Sequence, residues 1–346
     1  MKRSASIFRD LLSPAPESTA LRSRILFWTS ILLAALFLYL ALRGMDWQSF
    51  ILTFSNADYG YLPLIFLWGS FSYWVRALRW RLLLTAEKQI SLPNVFWANM
   101  AGYLGNNILP ARAGEFIRAA YLSKQNDVSI SFVFATGLVE RLVDVIALII
   151  LGSISLSMTR LLFGTLQLAL QTMSIISILG LLAMIVLPRF DTRLSKVIAA
   201  LPWLDLSTRS KLTGFLNQFL RGLGALHQIQ RIAGFILLTA LIWTIDALGT
   251  VFLSRTLHLS ISLAQAFVLL AGLGLSSAIP STPGYVGIYQ FVAVVILEPL
   301  GIPRSDALAL ILFFQVINLL VLLAWGMIAF FKNPLRNQSD GISSGE

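Results

Sequence analysis

The sequence contains no cysteine, which rules out disulfides, thiolate metal sites and cysteine nucleophiles but names no compartment. Its two histidines, His227 and His258, stand far apart and form no His-Glu-x-x-His pattern, which argues against a zinc hydrolase. No glycine-rich Walker loop occurs, so no built-in ATPase is expected. Charge is scarce as well. Only 12% of residues are Asp, Glu, Lys or Arg, against about 25% in a soluble domain. No polar stretch is long enough to fold as a soluble catalytic domain. Neither a metal nor a cofactor is expected.

What fills the sequence is apolar. Hydrophobic residues make up 57% of the chain, and residues 25–42 carry no charge at all. A membrane-crossing helix needs roughly 20 apolar residues. Candidate spans lie at 25–42, 59–84, 131–158, 165–188, 232–254 and 307–331. The expected fold class is therefore all-α: a polytopic helical membrane protein with one multi-span domain over 25–331. Residues 1–24, with Pro14 and Pro16, and residues 332–346 read as polar tails, the first of them disordered. The first apolar run lacks a clear small-residue cleavage site and reads as a retained anchor.

The formal net charge is +10. In a soluble protein this would point to nucleic acid. In a membrane chain the placement of Lys and Arg matters more, because cytoplasmic loops hold the excess. No nucleic-acid partner is expected. Two further apolar stretches are interrupted, one at Pro110 (92–109, then 114–124) and one at Pro280 (262–279, then 284–300). If 92–109 turns back, 21 Lys and Arg fall on one side of the membrane and 4 on the other (Arg43, Arg160, Arg255, Arg304), with Arg141 inside a span. If it crosses, the split is about even. The charge rule selects the turn-back, a re-entrant hairpin entering from the cytoplasm, with both termini cytoplasmic. The plasma (inner) membrane is the expected location.

The two interruptions resemble each other. Gly-Asn-Asn-Ile-Leu-Pro-Ala-Arg-Ala-Gly runs over 105–114 and Leu-Ser-Ser-Ala-Ile-Pro-Ser-Thr-Pro-Gly over 275–284, each with a Gly four residues after its Pro. Three spans separate them, so the second enters from the opposite face. This is the pattern of an inverted repeat whose broken helices meet near the midplane. The competing reading is two unrelated loops, and the second stretch could equally be two short spans. Between the repeats, Leu212, Phe215, Leu216, Phe219, Leu220, Leu223, Leu226 and Ile229 fall on one helical face of 205–231. The wider segment 190–231 is read as cytoplasmic and amphipathic. Its helix lies either on the membrane surface or against cytoplasmic loops.

Broken backbone at membrane depth survives only where protein or a water-filled cavity satisfies it. The Asn106 and Asn107 amides can serve peptide groups freed around Pro110, and Gly114 permits a turn and close helix approach. Arg112 at the tip needs a counter-charge or a phosphate, and its planar fork suits either. The next span offers Glu140, Arg141 and Asp144, with Arg141 spaced to pair with Asp144. Arg112, Glu115 and Arg118 against these three form either a functional headgroup site or a self-neutralising structural cluster. The second break offers Ser281, Thr282, Gly284, Tyr285, Gly287, Tyr289 and Gln290, flanked by Pro280 and Pro283, with no charge before Glu298. Asp246 is a lone acid in the fifth span, either an ion or proton site or the partner of a nearby polar group.

At these residues the sequence resembles the lysylphosphatidylglycerol synthase transmembrane-region family, also described as flippase-like. The matching motifs are Asn-Asn-x-Leu-Pro-x-Arg-x-Gly-Glu-x-x-Arg at 106–118, Glu-Arg-x-x-Asp at 140–144 and Pro-x-x-Pro-Gly-x-x-Gly at 280–287. The resemblance implies lipid handling, with Arg112, Glu115, Arg118, Glu140, Arg141 and Asp144 lining a headgroup path. The family's second Gly is replaced here by Tyr285, and its Glu by Gln290. The fused aminoacyl-transfer domain of some relatives has no counterpart after Phe331 in this sequence. The leading expectation is a translocator for an anionic phospholipid or a lipid-linked saccharide. The alternatives are a transferase on a lipid-phosphate-linked sugar, with Glu115, Glu140 or Asp144 as base, and a non-catalytic partner of a lipid-modifying enzyme.

Overall fold

The computed structural model describes residues 17–85, 87–109, 113–158, 164–186, 190, 205–224, 228–277 and 283–332. Among the described residues there are twelve α-helices and no strand. In order they are α1 (Glu17–Leu42), α2 (Trp47–Ser55), α3 (Leu62–Leu84), α4 (Leu92–Ile108), α5 (Gly114–Asn126) and α6 (Ile130–Met158). The chain continues with α7 (Gly164–Val186), α8 (Leu206–Gly224), α9 (Ile229–Thr256), α10 (Leu263–Ser276), α11 (Ile288–Leu297) and α12 (Arg304–Phe331). Local chemistry explains several starts. Pro63 and Pro93 occupy the first turns of α3 and α4, where a missing N–H costs nothing. Ser262 and Gln265 cap α10 reciprocally.

Two of these helices, α9 and α12, are long and apolar enough on length and composition to cross a membrane. The stretches Trp28–Leu42 and Trp47–Ser55 qualify together, meeting at a 90° bend. Helix α6 runs unbroken over its predicted span and α3 over all of 59–84 except its first three residues, which form a 3-10 turn (Tyr59–Tyr61); both helices carry charges. Both predicted interruptions fall between helices. The first lies between Ile108 and Gly114, the second between Ser276 and the short 3-10 turn Pro283–Tyr285. Pro110, Arg112, Pro280, Ser281 and Thr282 lie outside the described residues.

The predicted amphipathic helix is described over Leu206–Gly224; Leu226 of its face lies outside the described residues, and Ile229 belongs to α9. Helix α8 packs against α6. Leu220 and Leu223 are buried there, while Leu212 and Phe215 remain exposed. One face therefore serves both protein and surroundings.

Leu64, Leu67 and Phe71 on α3 and Leu237 on α9 lie on the outside, as do Val316, Leu320 and Met327 on α12. Water would penalise so much outward apolar surface, whereas lipid does not. Inside are two main cores. One gathers Trp80, Phe96, Tyr121 and Phe132 from α3 to α6. The other gathers Trp243, Leu269, Leu297 and Phe313 from α9 to α12. Helix contacts recur in a reciprocal pattern. Helix α4 pairs with α5 and packs on α12, while α10 pairs with α11 and packs on α6. Helix α3 lies on α4 and α9 lies on α10, and α3 and α9 lie on each other.

Candidate functional site: a polar cavity between two interrupted segments

A cavity of about 290 Å³ sits where the two cores meet. Asn106 and Asn107 reach it from the end of α4, and Tyr285 and Tyr289 from the second interruption. Helix α4 touches the Pro283–Tyr285 turn directly. The structure thus brings the two interrupted segments together.

The first interruption is held by its own side chains. Asn107 Nδ2 donates to the Tyr103 carbonyl one turn back in α4 (3.1 Å) and Asn106 Nδ2 to the Glu115 carboxylate (3.3 Å); neither of these bonds goes to a peptide group next to Pro110. Gly114 allows close approach: a Cβ there would lie 1.9 Å from the Gly102 carbonyl oxygen.

The second interruption depends on backbone in the left-handed region. Gly284 (φ 72°) and Gly287 (φ 88°) adopt it freely. A Cβ on Gly287 would also strike the Ala34 carbonyl of α1. Tyr285 adopts φ 57°, which disfavours a side chain, and it stacks on Tyr289 with centroids 4.7 Å apart. Gln290 does not line the cavity. It is buried, accepts from Gly287 N (2.7 Å) and donates to Gln315, whose amide donates to the Gly284 carbonyl (2.8 Å). The residue replacing the family's Glu thus braces the turn.

Beside the cavity runs a row of six alternating charges. Arg141 donates to Glu115 (3.0 Å), which also accepts from Arg118 (2.6 Å). Arg118 reaches Glu140 (2.9 Å), and Glu140 accepts from Arg79 (2.9 Å). Arg79 closes the row on Asp144 with two bonds of 2.5 and 3.0 Å. Trp80 lies under the Arg118 guanidinium and Phe235 under that of Arg79. Three arginines meet three carboxylates, so the row carries no formal net charge.

Five predicted charged residues therefore do come together, with two corrections. Arg141 pairs with Glu115 and not with Asp144, because Glu115 on α5 faces it across the α5–α6 contact. Arg118, Glu140 and Asp144 are sealed inside the row, and only Arg141, with 30% of its side chain exposed, lines the cavity. The carboxylates expected to neutralise Arg112 are held by Arg79 and Arg118; Arg112 itself lies outside the described residues.

Sequence reasoning missed Arg79, which is fully buried, and Arg76. In the charge split both count among the 21 on one side, although they fall within the 59–84 run. The available signal was their three-residue spacing inside an apolar helix, which places them on one side of α3. Arg76 pairs with Asp246, which also accepts from Ser72 Oγ (2.5 Å). Of the two readings of Asp246, it does have a nearby partner. Arg76, Asp246, Ser72 and Tyr73 also line the cavity, and Tyr73 donates to Asn318 (2.5 Å).

Residues 27–326 match the family model described as the lysylphosphatidylglycerol synthase TM region. The chain belongs to this family. All described residues of the ion row and the cavity lie within the matched family region. A UPF0104 membrane protein of Methanocaldococcus jannaschii is 27% identical over 228 residues, covering 65% of this chain and 92% of the relative. A UPF0104 membrane protein of Pyrococcus horikoshii is 23% identical over 303 residues, covering 80% of this chain and 88% of the relative. No solved structure gives a significant match. Family membership and the apolar helices make this an integral membrane protein.

Proposed function

We propose that this protein moves a lipid between membrane leaflets, its headgroup passing through the polar cavity while the acyl tails stay in the bilayer. The observation that carries the reading is that both interrupted segments contribute to one cavity holding Asn106, Asn107, Arg76, Arg141 and Asp246 among apolar side chains, inside a bundle whose outer faces are apolar. The reciprocal contacts support an inverted repeat: exchanging α3–α6 with α9–α12 leaves the pattern of packed pairs unchanged. The charge distribution supports cytoplasmic termini, and removing Arg76 and Arg79 from the tally leaves the asymmetry intact. The headgroup is that of an anionic phospholipid or a lipid-linked saccharide, meeting Asn106, Asn107, Arg141 and Tyr285. Without a Walker loop in the chain, movement is passive or ion-coupled.

The transferase reading gains no support from the geometry. Glu115, Glu140 and Asp144 each accept from one or more arginines, so these carboxylates are engaged in structural pairs and are not held toward a substrate. The test is reconstitution of the full chain into liposomes with fluorescent lipids. Movement of labelled lipid to the opposite leaflet without covalent change is expected. Covalent product on one side of the membrane, with no movement, would reject the translocator.

A further inference from the structure

We infer, resting on the translocator reading, that Arg76 receives the phosphate of an anionic headgroup and that Asp246 is the internal carboxylate with which the phosphate competes for it.

The arginines of the bundle are engaged to different degrees. Arg79 and Arg118 are sealed, and each holds two carboxylates. Arg141 grips Glu115 with both Nε and Nη2. Arg76 makes a single hydrogen bond, from Nη2 to Asp246 Oδ2. Its Nε and Nη1 bond to nothing among the described residues. Unpartnered nitrogens shut away from solvent occur on Arg79 (Nε) and Arg118 (Nη2), but not on Arg76. The spare N–H groups of Arg76 therefore keep accessible surface, and the residue lines the cavity. Trp243 lies beside the guanidinium, 5.3 Å from ring centre to Cζ, and leaves its edge to oxygen acceptors. Arg141 Nη1 is likewise unbonded and unsealed, so a second guanidinium lines the same cavity.

Spare N–H groups call for an acceptor. A phosphate suits a guanidinium edge because its oxygens take two parallel charge-assisted hydrogen bonds. A cationic group finds no matching opening, since both oxygens of Asp246 are already bonded, one to Arg76 and one to Ser72. Asp246 is the single acidic residue of α9, and it holds Arg76 at one point. Ser72 Oγ donates to it at 2.5 Å, so the carboxylate keeps a partner when Arg76 turns to a ligand. The side chains of Arg76 and Asp246 are 13% and 19% exposed, whereas those of Arg79 and Glu140 are fully covered. An anion entering the cavity thus meets Arg76 without dismantling the row of six charges.

The sign of one substitution tests this. Full-length protein in detergent is offered phosphatidylglycerol, or diacylglycerol, which lacks the phosphate, and retention is read by native mass spectrometry. Wild type should retain phosphatidylglycerol selectively. Arg76→Gln should lower that retention about tenfold, the scale of one charge-assisted hydrogen bond. Asp246→Asn frees Arg76 and keeps an acceptor for Ser72, so it should raise retention by about the same factor. Combined with Arg76→Gln, it should give no gain. A merely structural pair would lose by either change. Equal retention of the two lipids, no loss with Arg76→Gln, or no gain with Asp246→Asn would overturn the assignment. If Asp246→Asn is not recovered in detergent alone, phosphatidylglycerol present during extraction should restore it and diacylglycerol should not; restoration by both or by neither overturns the assignment too. Binding of inorganic phosphate without selective retention of phosphatidylglycerol would mean a free ion and overturn the headgroup role. Movement of fluorescent phosphatidylglycerol in liposomes is scored separately. Wild type that retains the lipid but moves none refutes the translocator and leaves the site. Wild type that moves it, with retention unchanged by Arg76→Gln, refutes the site and leaves the translocator.

Discussion

Arg79 holds Glu140 with one terminal nitrogen and Asp144 with both, all at depth in the bundle. Replacing it by Met strands Asp144, whose ion pair is with Arg79, and leaves Glu140 with Arg118 alone. Breaking a buried pair costs about 3–5 kcal/mol, so Arg79→Met should abolish recovery of monodisperse protein in detergent. Adding Asp144→Leu should restore much of it, because the stranded charge is gone and Arg141, Glu115, Arg118 and Glu140 remain a paired, neutral set. Arg79→Lys keeps the charge but not the fork and should fall between. At Tyr285, two effects oppose each other. Left-handed backbone costs about 1–2 kcal/mol in a residue with a side chain, and ring stacking contributes about 0.5–1.5 kcal/mol. Tyr285→Gly loses both, so thermal stability in detergent should change little. Residue chemistry was only partly legible in advance. Glu140 and Asp144 stood out because charge is rare in a long apolar run. Arg79 did not, because an arginine near the end of such a run looks like a flank, and only its tertiary partners distinguish the two.

At the scale of elements, the α4–α5 hairpin depends on contact between backbones. A Gly114→Ala methyl would overlap the Gly102 carbonyl, so the helices must separate and pull Glu115 and Arg118 away from α6. Loss of folded protein is the expected outcome, measured by size-exclusion profile. Helix α2 has a different dependence. Its N-cap Asp46 accepts from Gln48 N, Ser49 N and Ser49 Oγ, and these bonds, the Ser49 hydroxyl foremost, hold its carboxyl below the usual range. A depressed folded-state value means the cap's contribution is present above the ordinary carboxylate value and fades as pH falls through the lowered one. Amide exchange at Gln48 and Ser49 should therefore lose protection selectively under acid, and Asp46→Asn should remove that dependence. The helix interruptions were readable because Pro and Gly have backbone consequences wherever they stand. The placement of α8 was not, since lipid and protein interior reward the same apolar face.

For the whole molecule, orientation is directly testable because the native chain has no cysteine to remove. Ser207→Cys and Ser210→Cys, at exposed positions on α8, should react only with reagent on the cytoplasmic side, and Ser55→Cys only from the other side. The reverse pattern would invert the topology. Hydropathy made the fold class legible. It could not reveal that α4 packs on α12 or α6 on α10, because those contacts join segments far apart in sequence and no local periodicity encodes them. The ion row has a further mechanical meaning. Each of its four inner members touches two opposite charges, and two of the links, Glu115–Arg141 and Arg118–Glu140, tie α5 to α6. Breaking any one link leaves each inner member with an opposite charge, so the tolerance of the row lies in its middle and its weak points are the two ends, Arg141 and Asp144.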